Sequence, residues 1–371
     1  MSCIKPRALI IFISGHGYGH VSRMSHVINV LYKSLKHNEK LIIITTADPK
    51  FILQRESKNV IIIKQQHDIG LIQQDSFNID IDTTINKLIW LKENTQYIIE
   101  NILKQIAHFE ISLILSDISP LAFKLAKILD SPAFFVGNFT WTDIYQDLSD
   151  IDHRFLEFIP LINQQYQYAE KCFSLPMHTL MQPFNKDKLI KLPFIAPPES
   201  SMTIEEWERL TRQKYGAKKV VLLSFGGFDF NDLPTSYLKK LSDKYLFITT
   251  RAMGRTASSN MITIDSMCLD YSGLIKFSDL VITKPGYGII TDCLRHSKPI
   301  LYTDRGRFVE YDILKNWLDQ NHPSKYISNQ ILLSGKLGDP IEELLSQNFE
   351  FNVFDLSGAA KLSKYLMREL S

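Results

Sequence analysis

ALIIFI (Ala8–Ile13) runs into SGHGYGHVSR (Ser14–Arg23), and the reading of this stretch decides the fold. The unbroken apolar run is a strand buried on both faces. Gly15, Gly17 and Gly19 then let the backbone turn tightly. After His20 the apolar residues fall at Val21, Met24, Ile28, Leu31 and Leu35, the spacing of one helix face. Strand, glycine turn and helix in that order open a doubly wound α/β domain.

The alternation continues outward. Leu41–Thr45, closed by Ala47-Asp48-Pro49, Val60–Lys64, Ser112–Leu115 and Ala133–Val136 read as further strands, with a helical region over Ile85–Ala107. Such alternation predicts parallel strands joined by crossover helices. The prolines of LPFIAPP (Leu192–Pro198) stop helix and sheet alike and mark a linker. Beyond it the pattern restarts. Val220–Ser224, Tyr245–Thr249, Met261–Ile264, Leu280–Thr283 and Pro299–Tyr302 are strands, and helices are expected near Tyr237–Leu241, Tyr271–Phe277, Ile289–Arg295 and from Phe308. Leu356–Leu370 has the pattern of a closing helix. The expected division is a Rossmann-like domain over residues 1–195, a second over 202–355, and a closing helix over 356–371.

A chain of 371 residues suits two such domains. Its 45% apolar and 22% charged content is ordinary for a globular protein. A net charge of +2 gives no field that would gather nucleic acid, and the basic run Lys214–Lys219 reads as a solvated face. Cys3, Cys172, Cys268 and Cys293 are scattered without a CxxC pair, which fits a reducing, cytoplasmic setting. No signal-peptide layout opens the chain, and no apolar run approaches the ~20 residues that cross a bilayer. Peripheral membrane contact is left open.

Ligands of open α/β sheets bind beyond the carboxyl ends of the strands, and four stretches place glycine or polar residues there. The first is Ser14–Arg23. A dinucleotide fingerprint would need a third glycine where His20 stands, and Asp48 is far for a ribose-binding acid. His20 begins the helix, where the dipole disfavours imidazolium, so a neutral ring could accept a proton. Asp117, after the strand Ser112–Leu115, is a partner that could orient it. The alternative is that His20 only hydrogen-bonds its loop. A His16–His20 metal pair is not expected, because glycines interrupt the helix such spacing needs.

The second stretch is Ser224-Phe225-Gly226-Gly227, whose glycine pair either exposes N–H groups to a pyrophosphate or makes only a tight turn. The third is Thr283-Lys284-Pro285-Gly286-Tyr287-Gly288, followed by Thr291 and Asp292. It offers an anion seat, a lysine charge, and in Asp292 an acceptor for ribose hydroxyls. The fourth is Asp304–Glu310, with arginines for phosphate and Glu310 for a sugar hydroxyl. No GxxxxGK[ST] loop is present, which argues against a Walker-type ATPase. Asp80/Asp82 and Asp150/Asp152 follow no strong strand and read as solvated loops.

Six ordered motifs carry a resemblance. They are GHGYGHVSR (Gly15–Arg23), DIGLIQQDSFNID (Asp68–Asp80), SDISP (Ser116–Pro120), NFTWTDIY (Asn138–Tyr145), VVLLSFGG (Val220–Gly227) and SDLVITKPGYGIITD (Ser278–Asp292). Together they resemble the GT-B superfamily of nucleotide-sugar glycosyltransferases. Within it they are most similar to the N-terminal glycosyltransferase-like region of plant-type L-arabinokinases. The resemblance implies two Rossmann-like domains facing a cleft, closing to exclude water. It also implies an inverting, metal-independent transfer from a nucleotide-diphosphate sugar, with a UDP-sugar the expected donor and no further cofactor.

By the same resemblance His20 is the base and Asp117 its partner. Gly226, Gly227, Gly286, Thr291 and Asp292 fall where the family contacts the donor's diphosphate and ribose; the reading of the residues adds Ser224, Lys284, Gly288 and Glu310 to that seat, with Asp265–Leu269 expected to read the base. Asp292 stands where a glutamate is more usual, a shorter reach toward ribose. Gly17, Gly19, Arg23, Asn138 and Trp141 are candidates for the acceptor side, where an aromatic face suits a sugar ring; the alternative for Trp141 is a place in the core. The sugar-kinase domain of arabinokinases has no counterpart here, so a kinase activity is not implied. Two other readings stay open: a sugar-nucleotide epimerase of the same fold, and a non-catalytic nucleotide-sugar-binding module.

Overall fold

In a computed structural model of the chain, residues 5–52, 58–73, 79–225, 235–250, 260–264, 270–306 and 308–370 are described. Their contacts divide them into two compact units. One comprises Met1–Gln74, Ile79–Ile195 and Asp355–Ser371; the other is built on Ala196–Phe354.

The first unit is a sheet of seven parallel strands: β1 (Arg7–Ile13), β2 (Glu39–Thr45), β3 (Val60–Lys64), β4 (Glu110–Asp117), β5 (Ala133–Gly137), β6 (Lys171–Ser174) and β7 (Leu189–Lys191). Their order is β3-β2-β1-β4-β5-β6-β7, so the winding reverses between β1 and β4. The helices are α1 (Tyr18–Tyr32), α2 (Ile81–Ile106), α3 (Leu121–Leu129), α4 (Trp141–Leu148) and α5 (Ile159–Tyr166). Ala8–Ile13 is wholly buried, as a central strand covered on both faces must be, which is why its sequence does not alternate. α1 buries Val21, Met24, Val27, Ile28 and Leu31 and ends at Tyr32, one turn before the expected limit at Leu35.

The second unit repeats the plan with six parallel strands: β8 (Lys219–Ser224), β9 (Tyr245–Thr249), β10 (Met261–Thr263), β11 (Leu280–Thr283), β12 (Ile300–Tyr302) and β13 (Ser324–Tyr326). Their order, β10-β9-β8-β11-β12-β13, reverses between β8 and β11. Its helices are α6 (Ile204–Thr211), α7 (Thr235–Lys239), α8 (Tyr271–Lys276), α9 (Tyr287–His296), α10 (Val309–Asn321), α11 (Asn329–Ser334) and α12 (Gly338–Leu345). One face of the sheet closes on a core that includes Val221, Leu223, Phe247, Ile282, Leu301 and Ile341.

The last helix, α13 (Gly358–Leu370), lies in the first unit, against α1, β1 and β4. It buries Leu362, Leu366 and Leu370, each worth roughly 1.5–3 kcal/mol in area terms. Lys171 Nζ pairs with Glu369 at 2.8 Å, and the Phe173 ring meets Tyr365 at 5.1 Å.

One expected loop is corrected. Asp80 is the N-cap of α2, its Oδ1 accepting the Thr83 N–H at 2.9 Å, and Asp82 lies in that helix's first turn. Asp152 caps a short 3₁₀ turn, and Arg154 bridges Asp82 and Asp152 at 2.6 Å each. Helix starts attract carboxylates because their N–H groups lack partners. No helix among the described residues is long and apolar enough to cross a membrane.

Candidate functional site

The first unit gathers charge where its sheet reverses. Ile13, the end of β1, lies opposite Asp117, the end of β4, and Asn138 follows the end of β5. Between β1 and α1 the chain passes Gly17 at φ 72°, a left-handed value that a side chain would strain. Gly15 runs so close to β2's end that a Cβ there would stand 1.9 Å from the Thr46 hydroxyl. This tight passage starts α1 at Tyr18, which puts His20 in its first turn and Arg23 one turn later on the same face.

His20, Arg23, Asp117 and Asn138 meet. His20 Nδ1 lies 3.0 Å from Asp117 Oδ2. Arg23 donates to Asp117 Oδ1 through Nε at 3.1 Å and also through Nη2. Its Nη1 donates to Asn138 Oδ1 at 2.8 Å. Arg23 Nη2 also lies 2.9 Å from His20 Nδ1, and both contacts cannot use one ring nitrogen in the same role. A hydrogen on Nδ1 satisfies Asp117, whereas a lone pair there would face a carboxylate oxygen. We therefore assign Nδ1–H, which leaves Nε2 as the basic nitrogen. Asp117 is wholly buried and His20 is 6% exposed. Burial pushes the Asp117 carboxyl up, but the charge of Arg23 and the contact with His20 outweigh it and hold the group below its ordinary range.

The backbone beside Asp117 is strained. Ile118 has φ 62°, a value β-branched residues rarely adopt. The buried Tyr166 hydroxyl donates to the Ile118 carbonyl at 2.6 Å and accepts the Trp141 N–H at 3.3 Å, clamping the turns after β4 and β5.

Of the residues expected on the acceptor side, Gly17 and Gly19 border open space. Arg23, Asn138 and Trp141 are buried. Arg23 is the counter-ion of Asp117 and Asn138 anchors Arg23, so both act behind His20. Trp141, 1% exposed, stacks on Tyr145 and donates from Nε1 to Asp68 Oδ2 at 3.2 Å. Two features escaped the sequence reading. The Arg23–Asp117 pair was legible in the one-turn spacing of His20 and Arg23. Asp68 lay inside a quoted motif without a distinguishing signal.

The second unit places its expected residues at the equivalent edge. Ser224, ending β8, lies opposite Thr283, ending β11, and the Thr283 hydroxyl donates to the Ser224 carbonyl at 2.5 Å. The Ser224 hydroxyl is bonded to the Tyr271 hydroxyl. Gly286 is the N-cap of α9 without a side-chain cap, so the first-turn N–H groups around Gly288 can meet an anion. Lys284 is half-buried just before them. The Thr291 hydroxyl is turned to the Gly288 carbonyl at 2.8 Å. Asp292 is buried, and burial, with Asp270 adding to it, pushes its carboxyl up to about 7. Arg305 donates to the Pro285 carbonyl at 3.1 Å, stands over the Phe308 ring at 4.4 Å and lies 3.9 Å from Glu310. It thus ties the third and fourth stretches together. Gly226, Gly227, Arg307 and the loop Asp265–Leu269 lie outside the described residues. Among the described residues no group of three or more His, Cys, Asp or Glu could hold a metal ion.

Solved structures align over nearly the whole chain. The calicheamicin glycosyltransferase matches with a TM-score of 0.64 at 11% identity, covering 99% of both chains. A UDP-glucosyltransferase from Polygonum tinctorium, capable of glucosylating indoxyl, matches at 0.61 and 13%, covering 99% of this chain and 94% of its own. A spinosyn rhamnosyltransferase complexed with thymidine diphosphate matches at 0.59 and 12%, over 98% and 96%. The chain has the GT-B fold. Its two reversal points are therefore those of the two Rossmann-like halves of that fold. In sequence the chain is 23% identical to L-arabinokinase of Arabidopsis thaliana over 359 residues, 92% of this chain. It spans about a third of that relative's length, 32%. No family model matches the chain.

Proposed function

We propose that the protein is an inverting glycosyltransferase that moves a sugar from a nucleoside-diphosphate sugar, a UDP-sugar first among the candidates, to an acceptor hydroxyl. The observation that carries this reading is the buried His20–Asp117 pair at the reversal of a GT-B sheet, with Arg23 holding the carboxylate ionised. His20 Nε2 takes the acceptor proton. The freed oxygen attacks the anomeric carbon from the face opposite the leaving group, and the bond from that carbon to the diphosphate oxygen breaks. One displacement inverts the centre.

The leaving diphosphate gains negative charge, and preorganised donors aimed at that charge are worth most in the transition state. First-turn N–H groups of α9 and the Lys284 ammonium are the donors we assign, with Gly226 and Gly227 extending the seat; the proposal invokes no metal ion. Asp292 accepts from the ribose hydroxyls, and Ser224, Thr291 and Glu310 complete the donor side. A soluble, cytoplasmic enzyme that needs no other cofactor fits this chemistry.

The test is incubation of the purified chain with UDP- and TDP-sugars, with and without acceptors, following both free nucleoside diphosphate and the sugar-nucleotide. Transfer releases the diphosphate in step with a glycosylated product of inverted configuration. An altered sugar still bound to the nucleotide would show an epimerase instead. Donor binding without turnover, unchanged by His20→Ala, would leave a binding module.

A further inference from the structure

We infer that the first unit holds a dedicated seat for an uncharged, polyhydroxylated molecule the size of a monosaccharide or cyclitol, recognised by Asp68. The inference rests on the transferase reading, for which this molecule is the acceptor.

The seat is a recess of about 220 Å³ at the ends of β1, β2 and β3. Drug-sized ligands fill roughly 300–1,000 Å³, so this volume suits a molecule of about a dozen non-hydrogen atoms. Its wall is mostly polar: Asp68, Thr46, Gln66, Lys87 and His16, with Gly15 and Gly17 beside them. Ile69 and Ile72 supply only a narrow apolar strip.

Asp68 is 3% exposed, and its two oxygens are treated unequally. Oδ2 accepts from the Trp141 indole at 3.2 Å. Oδ1 has no donor among the described residues. His67 Nδ1 stands 3.7 Å from it, beyond hydrogen-bonding distance. The His67 ring is also committed elsewhere: Nε2 faces the carbonyls of Ile13 and Ile44 at 3.1 Å each, and Nδ1 lies 2.9 Å from the Ser119 hydroxyl. A carboxylate oxygen at the wall of a recess, with no protein donor among the described residues, can accept a hydrogen bond from a ligand there.

The charges around the recess narrow the ligand's class. Asp68 and Lys87 carry opposite charges on the same wall, so the recess has no net charge to favour an anion or a cation. What remains is a neutral group that gives a hydrogen bond to Asp68 and takes one from the Gln66 amide, the Thr46 hydroxyl or Lys87. Hydroxyls do both. The fixed geometry of the site follows from its supports. Trp141 is locked by stacking on Tyr145, and the segment after Asp68 is pinned where the Leu71 N–H donates to His16 Nδ1 at 3.3 Å.

The experiment titrates the full-length protein with free pentoses, free hexoses, myo-inositol and phenol, read by saturation-transfer NMR, and separately with UDP. Binding of a pentose, hexose or inositol, weakened about tenfold to a hundredfold by Asp68→Asn, is the expected result. The sugar and inositol arms distinguish the two sources of the same chemistry. Thr46→Val, which removes one rim hydroxyl at equal volume, weakens the same ligand several-fold and serves if Asp68→Asn fails to fold. No polyol binding at all, polyol binding indifferent to both substitutions, or a preference for phenol would overturn the inference. UDP binding that persists through such a failure leaves the transferase reading standing; loss of UDP binding with polyol binding intact does the reverse.

Discussion

The two halves of the molecule reach the same point in their sheets and furnish it differently. At the reversal of the first sheet, Ile13 opposite Asp117, four buried side chains are joined in one network: His20, Arg23, Asp117 and Asn138. At the reversal of the second, Ser224 opposite Thr283, the described polar groups are a hydroxyl pair, a bare helix start at Gly286, and an Asp292 whose carboxyl titrates near neutrality. A proton-transfer group must be oriented before its substrate arrives, so its network is closed in advance. Under the proposed function a diphosphate seat needs backbone N–H groups that a ligand can reach, and the start of α9 at Gly286 carries no side-chain cap that would occupy them. The contrast is between a closed side-chain network and an uncapped helix start, and the proposed function puts the nucleotide at the second.

The largest test of the contrast is His20→Ala. Loss of a positioned general base costs roughly 10²–10⁴-fold in rate. Turnover is expected to fall by that factor while UDP affinity, which the proposed function assigns to the other half, stays within about twofold. A matched fall in both, measured by steady-state kinetics and calorimetric titration, would break the separation of roles.

Next in size is Arg23→Ala, which leaves the wholly buried Asp117 without its strong counter-ion. Breaking a buried pair in this way costs about 3–5 kcal/mol. Arg23 holds the folded-state pKa of Asp117 below the unfolded value, so its stabilisation is present above that value and lost as pH falls through the folded one. The variant's deficit in thermal melting should therefore be largest at neutral pH and shrink in acid, where the stranded carboxyl can protonate. A deficit that does not change with pH would mean that Arg23 acts through packing alone. Arg23→Lys restores little, since an ammonium cannot reach Asp117 and Asn138 with one planar fork.

The same contrast explains what was legible in the sequence. Strands buried on both faces declare themselves as runs such as ALIIFI and VVLL, so the central strands of both sheets and the opening turn could be read directly. His20 and Asp117 were legible because strand ends and helix starts can be counted. The short helices α3, α4, α5 and α6 and the strands β6 and β7 were not, because eight or nine residues carry little periodicity and KCFS carries none. Two of the missed helices did have a signal: Thr140 with Asp143, and Thr203 with Glu206, form reciprocal capping boxes. The depth of Trp141, Asn138 and Arg23 was beyond reach. Burial of a polar or amphipathic side chain is decided by which elements pack over it, and spacing along the chain does not report that.

Asp292 gives the third test, on the open side of the comparison. Its folded pKa of about 7 lies above the ordinary aspartate value of 3.8, so the folded state binds the extra proton between those values. The stability linked to it is present below the unfolded pKa and lost as pH rises through about 7, by up to about 4 kcal/mol. Asp292→Asn should flatten that slope between pH 4 and 8 and melt higher than the parent at alkaline pH. If the ionised carboxylate accepts from ribose, UDP affinity of the parent rises across the same interval, and that of the variant does not. A parent affinity flat in pH would remove Asp292 from the donor seat.

The smallest test asks whether the contrast is confined to the sites. Two helices that follow the reversal strands, α3 in the first half and α9 in the second, end on exposed non-glycine residues in the left-handed region: Asp130 at φ 49° and Ser297 at φ 50°. Glycine at such a position removes about 1–2 kcal/mol of strain for an ordinary residue, while its freer unfolded chain costs roughly 0.5–1 kcal/mol. Aspartate tolerates the left-handed region through local hydrogen bonding, so Asp130→Gly should be nearly neutral. Serine has less of that tolerance, so Ser297→Gly should stabilise α9 by about 0.5–1 kcal/mol. Amide hydrogen exchange read separately over α3 and α9 measures each effect in its own half. Because the two helix ends share one geometry, their difference is set by side-chain chemistry alone. An equal gain at both would show that left-handed strain there is indifferent to the residue that bears it.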